Sequence, residues 1–214
     1  MKAFLFDMDG VLVDTQQIHT LALKKVFDEY GIEISLAELD TFAGTKRGTA
    51  FRTAAEERGV ELPIEEMCEA KDKIFDSMIE KTDLKPIKGI PELLKHLKAN
   101  GVLTAIASSS SREFISLVVD RTGIREYFDA FVSGQELTES KPNPAIYLLA
   151  AQILGVEPSE CIVLEDAHLG VEAAKRAGMK CIGYRNPNSG EQDLSKADVV
   201  VDRVEMIRQI LGNF

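Results

Sequence analysis

The stretch FDMDGVLVDT (6–15) sets three aspartates among apolar residues close to the start of the sequence. Two of them, Asp7 and Asp9, are separated by one residue. On an extended chain, residues two apart point the same way, so both carboxylates can address one reaction centre while Met8 turns into the core. Gly10 then lets the chain leave the strand sharply. The sequence resembles the start of a calcium loop only superficially, because Val11 stands where such a loop needs its third acid. A second acidic pair, Glu165 and Asp166, closes the apolar run CIVLE; a hydroxyl cluster, SSSS, spans 108–111, and Lys141 sits in ESKPNP. Carboxylates crowded together repel one another and hold a proton unless a cation sits among them. Hard oxygen ligands suit Mg²⁺, which predicts that ion on Asp7, Asp166 and the backbone carbonyl of Asp9, with Glu165 close by. An aspartate screened by a metal can attack phosphorus and form an aspartyl phosphate, and its neighbour can protonate the leaving alcohol and later deprotonate water. Ser108 would then donate to the transferring phosphoryl group and Lys141 would neutralise its oxygens.

The elements that must position these residues are legible in the hydrophobic pattern. Short apolar runs recur at 2–6, 101–107, 128–134, 161–165, 181–184 and 198–202, and segments of helical period lie between most of them, as in GIPELLKHLKAN and NPAIYLLAAQILG. Strands apolar on both faces and alternating with helices predict an α/β fold, a Rossmann-like parallel sheet flanked by helices. In such sheets ligands bind at the carboxyl ends of the strands. The two acidic pairs, the serines and Lys141 all fall there. From 16 to 81 the pattern is helical only, too long for an ordinary strand connection. It predicts a helical cap domain over 16–81, inserted into a core made of 1–15 and 82–214, with LKPIKGIP (84–91) as the return linker.

Composition bounds the partners. The 214 residues carry 25 Lys+Arg against 35 Asp+Glu, a formal charge of −10, which repels phosphate backbones and anionic lipid. No nucleic acid and no membrane partner is expected. A small phosphorylated metabolite remains compatible, since local cations and a metal outweigh a distant field. Three widely spaced cysteines form neither a disulfide framework nor a zinc site. With no leader and no apolar run of membrane length, the expectation is a cytoplasmic protein, monomeric or a small homo-oligomer.

DMDGVLVDT (7–15), Ser108 in AIASSS, Lys141 in ESKPNP and LEDAHLGVEAAKRAG (164–178) together resemble the four ordered motifs of the haloacid dehalogenase superfamily. The insert resembles that superfamily's first type of helical cap. The resemblance implies Asp7 as nucleophile, Asp9 as general acid/base, Ser108 and Lys141 as phosphate ligands, and Glu165 with Asp166 as acids on the metal side. It also argues against dehalogenation, because members that cleave carbon–halogen bonds lack an acid at the position of Asp9. Within the superfamily the chain is most similar to the β-phosphoglucomutase-like branch. There Thr15, His19, Arg47 and Lys73 fall where the mutase has a threonine, a histidine, a phosphate-binding arginine and a lysine, and Ser109 joins the substrate-binding set. Ala43 stands where the mutase carries a lysine. The expected function is a Mg²⁺-dependent phosphatase of a small phosphorylated metabolite, such as a sugar phosphate. Its rivals are a β-phosphoglucomutase and, in another class, a non-catalytic phospho-acceptor module. Asp14, beyond the turn, is expected to cap a helix or support the hinge.

Overall fold

The computed structural model describes residues 1–213. Six strands form one parallel sheet, β1 (Ala3–Phe6), β2 (Leu103–Ser108), β3 (Ala130–Ser133), β4 (Cys161–Glu165), β5 (Lys180–Tyr184) and β6 (Val199–Val201), in the order β3-β2-β1-β4-β5-β6. Each falls on one of the apolar runs. Alternation along the strands explains why both faces are apolar: Phe4, Phe6, Ile106, Ile162 and Leu164 join one buried cluster, and Leu5, Ala105, Ala107 and Val163 join the other. Helices α5 (Ile90–Ala99) and α6 (Arg112–Arg121) cover the first face, while α7 (Ala145–Leu154) and α8 (His168–Arg176) cover the second. A short helix, α9 (Ile207–Ile210), adds Ile207 to the first face. The sheet is thus closed to water on both sides, as a parallel sheet requires.

Between β1 and α5 lie α1 (Gln16–Glu29), α2 (Leu36–Asp40), α3 (Thr49–Arg58) and α4 (Ile64–Glu80). They bury a cluster of their own around Val26, Phe27, Leu39, Phe51 and Met67. The outgoing and returning segments run side by side: Val13 bridges to Pro86, and the Ile87 N–H donates to the Leu12 carbonyl at 2.8 Å. Asp14 does not cap α1, whose N-cap residue is Thr15; it accepts instead from Asn188 Nδ2 in the loop after β5. Among the described residues no helix is long and apolar enough to cross a membrane.

The order of strands reverses beside β1, which pairs with β2 on one side and β4 on the other. That is the place where an open α/β sheet leaves a crevice at its carboxyl edge. The first acidic pair follows β1, the serines follow β2, and the second acidic pair ends β4.

Candidate active site

Asp7 continues β1 by one residue, its N–H donating to the Leu164 carbonyl at 3.0 Å. The chain then folds over Met8, whose carbonyl accepts from the N–H groups of Val11, Leu12 and Val13, and Met8 is fully buried. Gly10 makes this turn at φ +83°, and a Cβ there would stand 2.0 Å from Asp166 Oδ2. Glycine is required twice over, for the left-handed backbone and for the close approach of the second acidic pair.

Lys141, from the loop between β3 and α7, is the charge centre of the crevice. Its ammonium donates to Asp7 Oδ1 and Glu165 Oε1, both at 2.6 Å, and to the Ala107 carbonyl at 3.2 Å. Glu165 is filled by donors: Oε1 also accepts from Tyr147 Oη at 2.7 Å, and Oε2 accepts from the N–H groups of Asp166 and Ala167, each at 3.1 Å. Asp166 Oδ2 accepts from Ser189 Oγ. One carboxylate oxygen from each of Asp7, Glu165 and Asp166 lies within 4.8 Å of the other two. Burial, with Glu165 and Asp9 adding repulsion, outweighs Lys141 and pushes the Asp7 carboxyl up to about 8. Burial and the neighbouring acids raise Asp166 well above its ordinary value too. Three buried carboxylates around one ammonium leave a surplus of negative charge on hard oxygen donors, which fits a divalent metal ion. The Asp9 side chain is not part of this cluster.

Asp9 instead faces α1 and the serines. Oδ1 accepts from Thr15 Oγ1 and lies 3.3 Å from His19 Nε2, while Oδ2 accepts from Ser110 Oγ at 2.8 Å and, more weakly, from Ser108 Oγ at 3.4 Å. Burial opposes its ionisation, but His19 and the Thr15 and Ser110 hydroxyls prevail and hold the carboxyl down at about 2. On its other side the His19 ring has Nδ1 3.1 Å from Lys71 Nζ, and it stacks on Phe75 with centroids 4.1 Å apart. An ammonium can only donate, so Nδ1 accepts and Nε2 carries the proton toward Asp9. Burial and Lys71 lower the His19 pKa, in keeping with this neutral tautomer.

The helices over the crevice enclose a cavity of about 130 Å³ against this rim, lined by Asp7, Asp9, His19, Arg47, Lys71, Ser109 and Asp166 among others. Ser109 Oγ donates to the Gly44 carbonyl at 2.9 Å and Lys46 Nζ to the Thr138 carbonyl at 3.0 Å, tying the loop of α2–α3 to the core. Of the residues expected from sequence, Asp7, Asp9, Ser108, Ser109, Lys141, Glu165, Asp166, Thr15 and His19 come together here. Lys73 does not: it is exposed and lines no part of the cavity, whereas Lys71, two residues earlier on α4, points inward. Arg47 reaches the cavity wall but is engaged by Asp72 and Glu65. Sequence reasoning passed over Lys71, Tyr147 and Ser189, and named Ser110 only as part of the 108–111 hydroxyl cluster. For Lys71 a signal existed: Met67, Lys71, Phe75 and Ile79 follow one another at the four-residue spacing of a single helix face, so a lysine interrupts a buried stripe.

A parallel sheet with opposed acidic pairs and a buried lysine at its switch point, beneath an inserted helical layer, defines an enzyme of the Rossmann-like hydrolase class. Residues 4–184 match the family of haloacid dehalogenase-like hydrolases, and the chain belongs to that family. It is 35% identical over 191 residues, 89% of this chain and 86% of the relative, to YhcW of Bacillus subtilis (strain 168), provisionally designated a phosphatase. It is 32% identical to the β-phosphoglucomutase of the same organism, over 94% of this chain and 89% of that one. The structure of CbbY from Rhodobacter sphaeroides in complex with phosphate superposes with a TM-score of 0.84 at 27% identity, covering 97% of this chain and 96% of that one. A point mutant of the same protein has been solved with xylulose-(1,5)bisphosphate, also at a TM-score of 0.84.

Proposed function

We propose that the protein is a Mg²⁺-dependent phosphatase of a small phosphorylated metabolite, acting through an aspartyl phosphate on Asp7, with 16–81 serving as its cap. The observation that carries this reading is the division of labour between two aspartates two residues apart: Asp7 is bound to Lys141, and Asp9 is held by Thr15, His19 and Ser110. Two carboxyls this close but with separate partners, one against an ammonium and the other among hydroxyls and an imidazole, can take separate nucleophile and acid/base roles once a cation lowers the proton affinity of Asp7 and a bound phosphate raises that of Asp9. Asp7, Asp166 and the backbone of Asp9 would hold the Mg²⁺. When bound, the ion supplies the positive charge that keeps Asp7 ionised and screens the incoming phosphoryl oxygens.

In the reaction an Asp7 oxygen bonds to phosphorus as the bond from phosphorus to the ester oxygen breaks, and the leaving alkoxide takes a proton from Asp9. Water then attacks the phosphoryl group, Asp9 recovers a proton from it, and phosphate leaves with Asp7 restored. Asp9 is a carboxylate in the resting cleft, so it must gain a proton first. An arriving phosphate drives this: its negative charge opposes the Asp9 charge, and it competes for the Ser108 and Ser110 hydroxyls that stabilise the ionised form. Lys141 neutralises phosphoryl oxygens and Glu165 positions Lys141.

A panel of phosphorylated metabolites assayed for phosphate release with Mg²⁺ tests the proposal, with Asp7→Asn as the paired control. The expected result is Mg²⁺-dependent release that Asp7→Asn abolishes. Full turnover in Asp7→Asn refutes the nucleophile. Rapid conversion of β-glucose 1-phosphate to glucose 6-phosphate with little free phosphate, in the presence of a trace of the 1,6-bisphosphate, replaces the phosphatase by a mutase.

A further inference from the structure

Lys141 serves two of the three buried carboxylates at the rim and leaves the third without a cation. Its ammonium has three protons, and Asp7 Oδ1, Glu165 Oε1 and the Ala107 carbonyl take them. Glu165 is filled by four donors and can meet an ion only by giving one up. Asp166 receives nothing from Lys141. Among the described residues the donor to its carboxylate is Ser189, whose Oγ meets Oδ2. The Asp166 charge is therefore the least compensated of the three and the most available to a divalent ion.

Ser189 lies in the loop between β5 and β6, and that loop is seated with care. The Ser189 side chain is buried, its N–H donates to the Asn186 carbonyl at 3.2 Å, and its own carbonyl accepts from Gln192 Nε2 at 3.0 Å. Asn186 is buried too, and its Nδ2 donates to the Gly10 carbonyl at 2.8 Å, which ties the loop to the turn that presents Asp7 and Asp9. A Cβ on Gly10 would stand 2.0 Å from Asp166 Oδ2 and 2.8 Å from Ser189 Oγ, so that turn lies directly against the pair. Oδ2 is thus closed in by the Gly10 backbone and the Ser189 hydroxyl. Oδ1 is the oxygen left to the cavity, which Asp166 lines.

We propose that Ser189 is a positioning residue for the divalent ion: by holding Oδ2 of Asp166 it presents Oδ1 to the ion, and the affinity for the ion depends on it. Carboxylates that bind metals rely on such outer partners, and losing one costs about 10–100-fold in metal affinity. A hydroxyl suits the task because it orients the carboxylate without cancelling its charge, whereas an ammonium in its place would repel the ion. The proposal rests on the Mg²⁺ of the proposed function and not on its reaction.

Calorimetric titration with Mg²⁺ alone reads the affinity without any substrate. Ser189→Ala should weaken binding by about tenfold or more, and Ser189→Cys, which nearly keeps the volume but donates poorly, should weaken it by less. Asn188→Ala breaks the bonds of the same loop to Asp14 and Gln17 and leaves Ser189 in place, so its affinity should match that of the parent. In turnover, the Mg²⁺ concentration for half-maximal phosphate release should rise by the same factor in Ser189→Ala, with kcat recovered at saturating Mg²⁺. A serine with a merely structural role would lower the urea midpoint in chelator and leave the Mg²⁺ affinity unchanged, and that result overturns the proposal. So do an equal loss of affinity in Asn188→Ala and the absence of Mg²⁺ binding to the unaltered protein. Where the alanine variant does not fold, the cysteine variant carries the test, and a parent-like affinity there overturns the proposal as well. Mg²⁺ binding that depends on Ser189, in a protein that releases phosphate from no member of the metabolite panel, sinks the phosphatase reading and leaves the positioning role standing.

Discussion

Replacing Gly170 by alanine exposes the packing logic of the acidic cluster. Gly170 lies in the first turn of α8, with backbone angles that any residue adopts in a helix, and on a solvent-facing helix the change would add about 1 kcal/mol of stability. Here the new Cβ would stand 1.7 Å from Glu165 Oε1 and 2.0 Å from Cδ. Glu165 must therefore move, although four donors hold it: Lys141, Tyr147 and the N–H groups of Asp166 and Ala167. Displacing Oε1 alone breaks the bonds from Lys141 and Tyr147. Hydrogen bonds to a charged group contribute roughly 1.5–3 kcal/mol each, so two lost bonds cost about 3–6 kcal/mol. After the helical gain the net loss is about 2–5 kcal/mol. Urea unfolding measures it directly: at an m-value near 2 kcal/mol/M the midpoint should drop by about 1–2.5 M, with m unchanged. In a Glu165→Ala background the obstacle is gone and the same glycine replacement should stabilise by about 1 kcal/mol. A variant as stable as the parent, or an equal loss in both backgrounds, would refute the close-approach argument.

Tyr147→Phe removes one donor from Glu165 and leaves Lys141 in place, so it should cost about 1–3 kcal/mol in the same urea assay, less than Gly170→Ala; a larger loss would mean that the tyrosine, not the lysine, organises the cluster. The metal-free protein should lose stability as pH rises between about 4 and about 8. Asp7 is raised from 3.8 to about 8, so its proton is held more tightly in the folded state, and the contribution is complete below pH 3.8 and lost on approaching 8. Asp9, held down at about 2, titrates below that window. Thermal unfolding in chelator should show the decline, Asp7→Asn should make it shallower while Asp166, also raised, keeps a part of it, and Mg²⁺ should raise the midpoint most at the alkaline end. A chelated protein whose pH dependence matches that of Asp7→Asn would contradict the assignment.

The strands and the rim acids were legible because their signals are local: buried parallel strands are continuous apolar runs, and an aspartate pair interrupting one has no packing reason to be there. What escaped depends on phase and on partners distant in sequence. Lys73 and Lys71 are both lysines on one amphipathic helix, and only the position of Phe75 and Ile79 on the inward face separates them. The four serines are identical in type, and which hydroxyl meets Asp9 is fixed by the turn after β2, where the Ser110 N–H donates to Ser108 Oγ at 3.0 Å. Tyr147 reads as one more apolar residue of α7, although a buried phenol needs a partner, and that partner is Glu165, 18 residues on. Arg47 was expected to grip phosphate because it falls where the mutase has a phosphate-binding arginine. Its carboxylate partners come from α4, across a connection whose geometry a single sequence does not encode locally.

The central position of β1 also bears on how the chain is made. β1 is translated before both of its neighbours, β2 and β4, so the side that β4 will cover stays open until residue 165 has been synthesised. At roughly 5–20 residues per second, a nascent chain carries Phe4, Leu5 and Phe6 on an unpaired strand edge for on the order of ten seconds. During that interval the open edge is a template for pairing with another chain, and any truncation that stops before β4 leaves that edge uncovered.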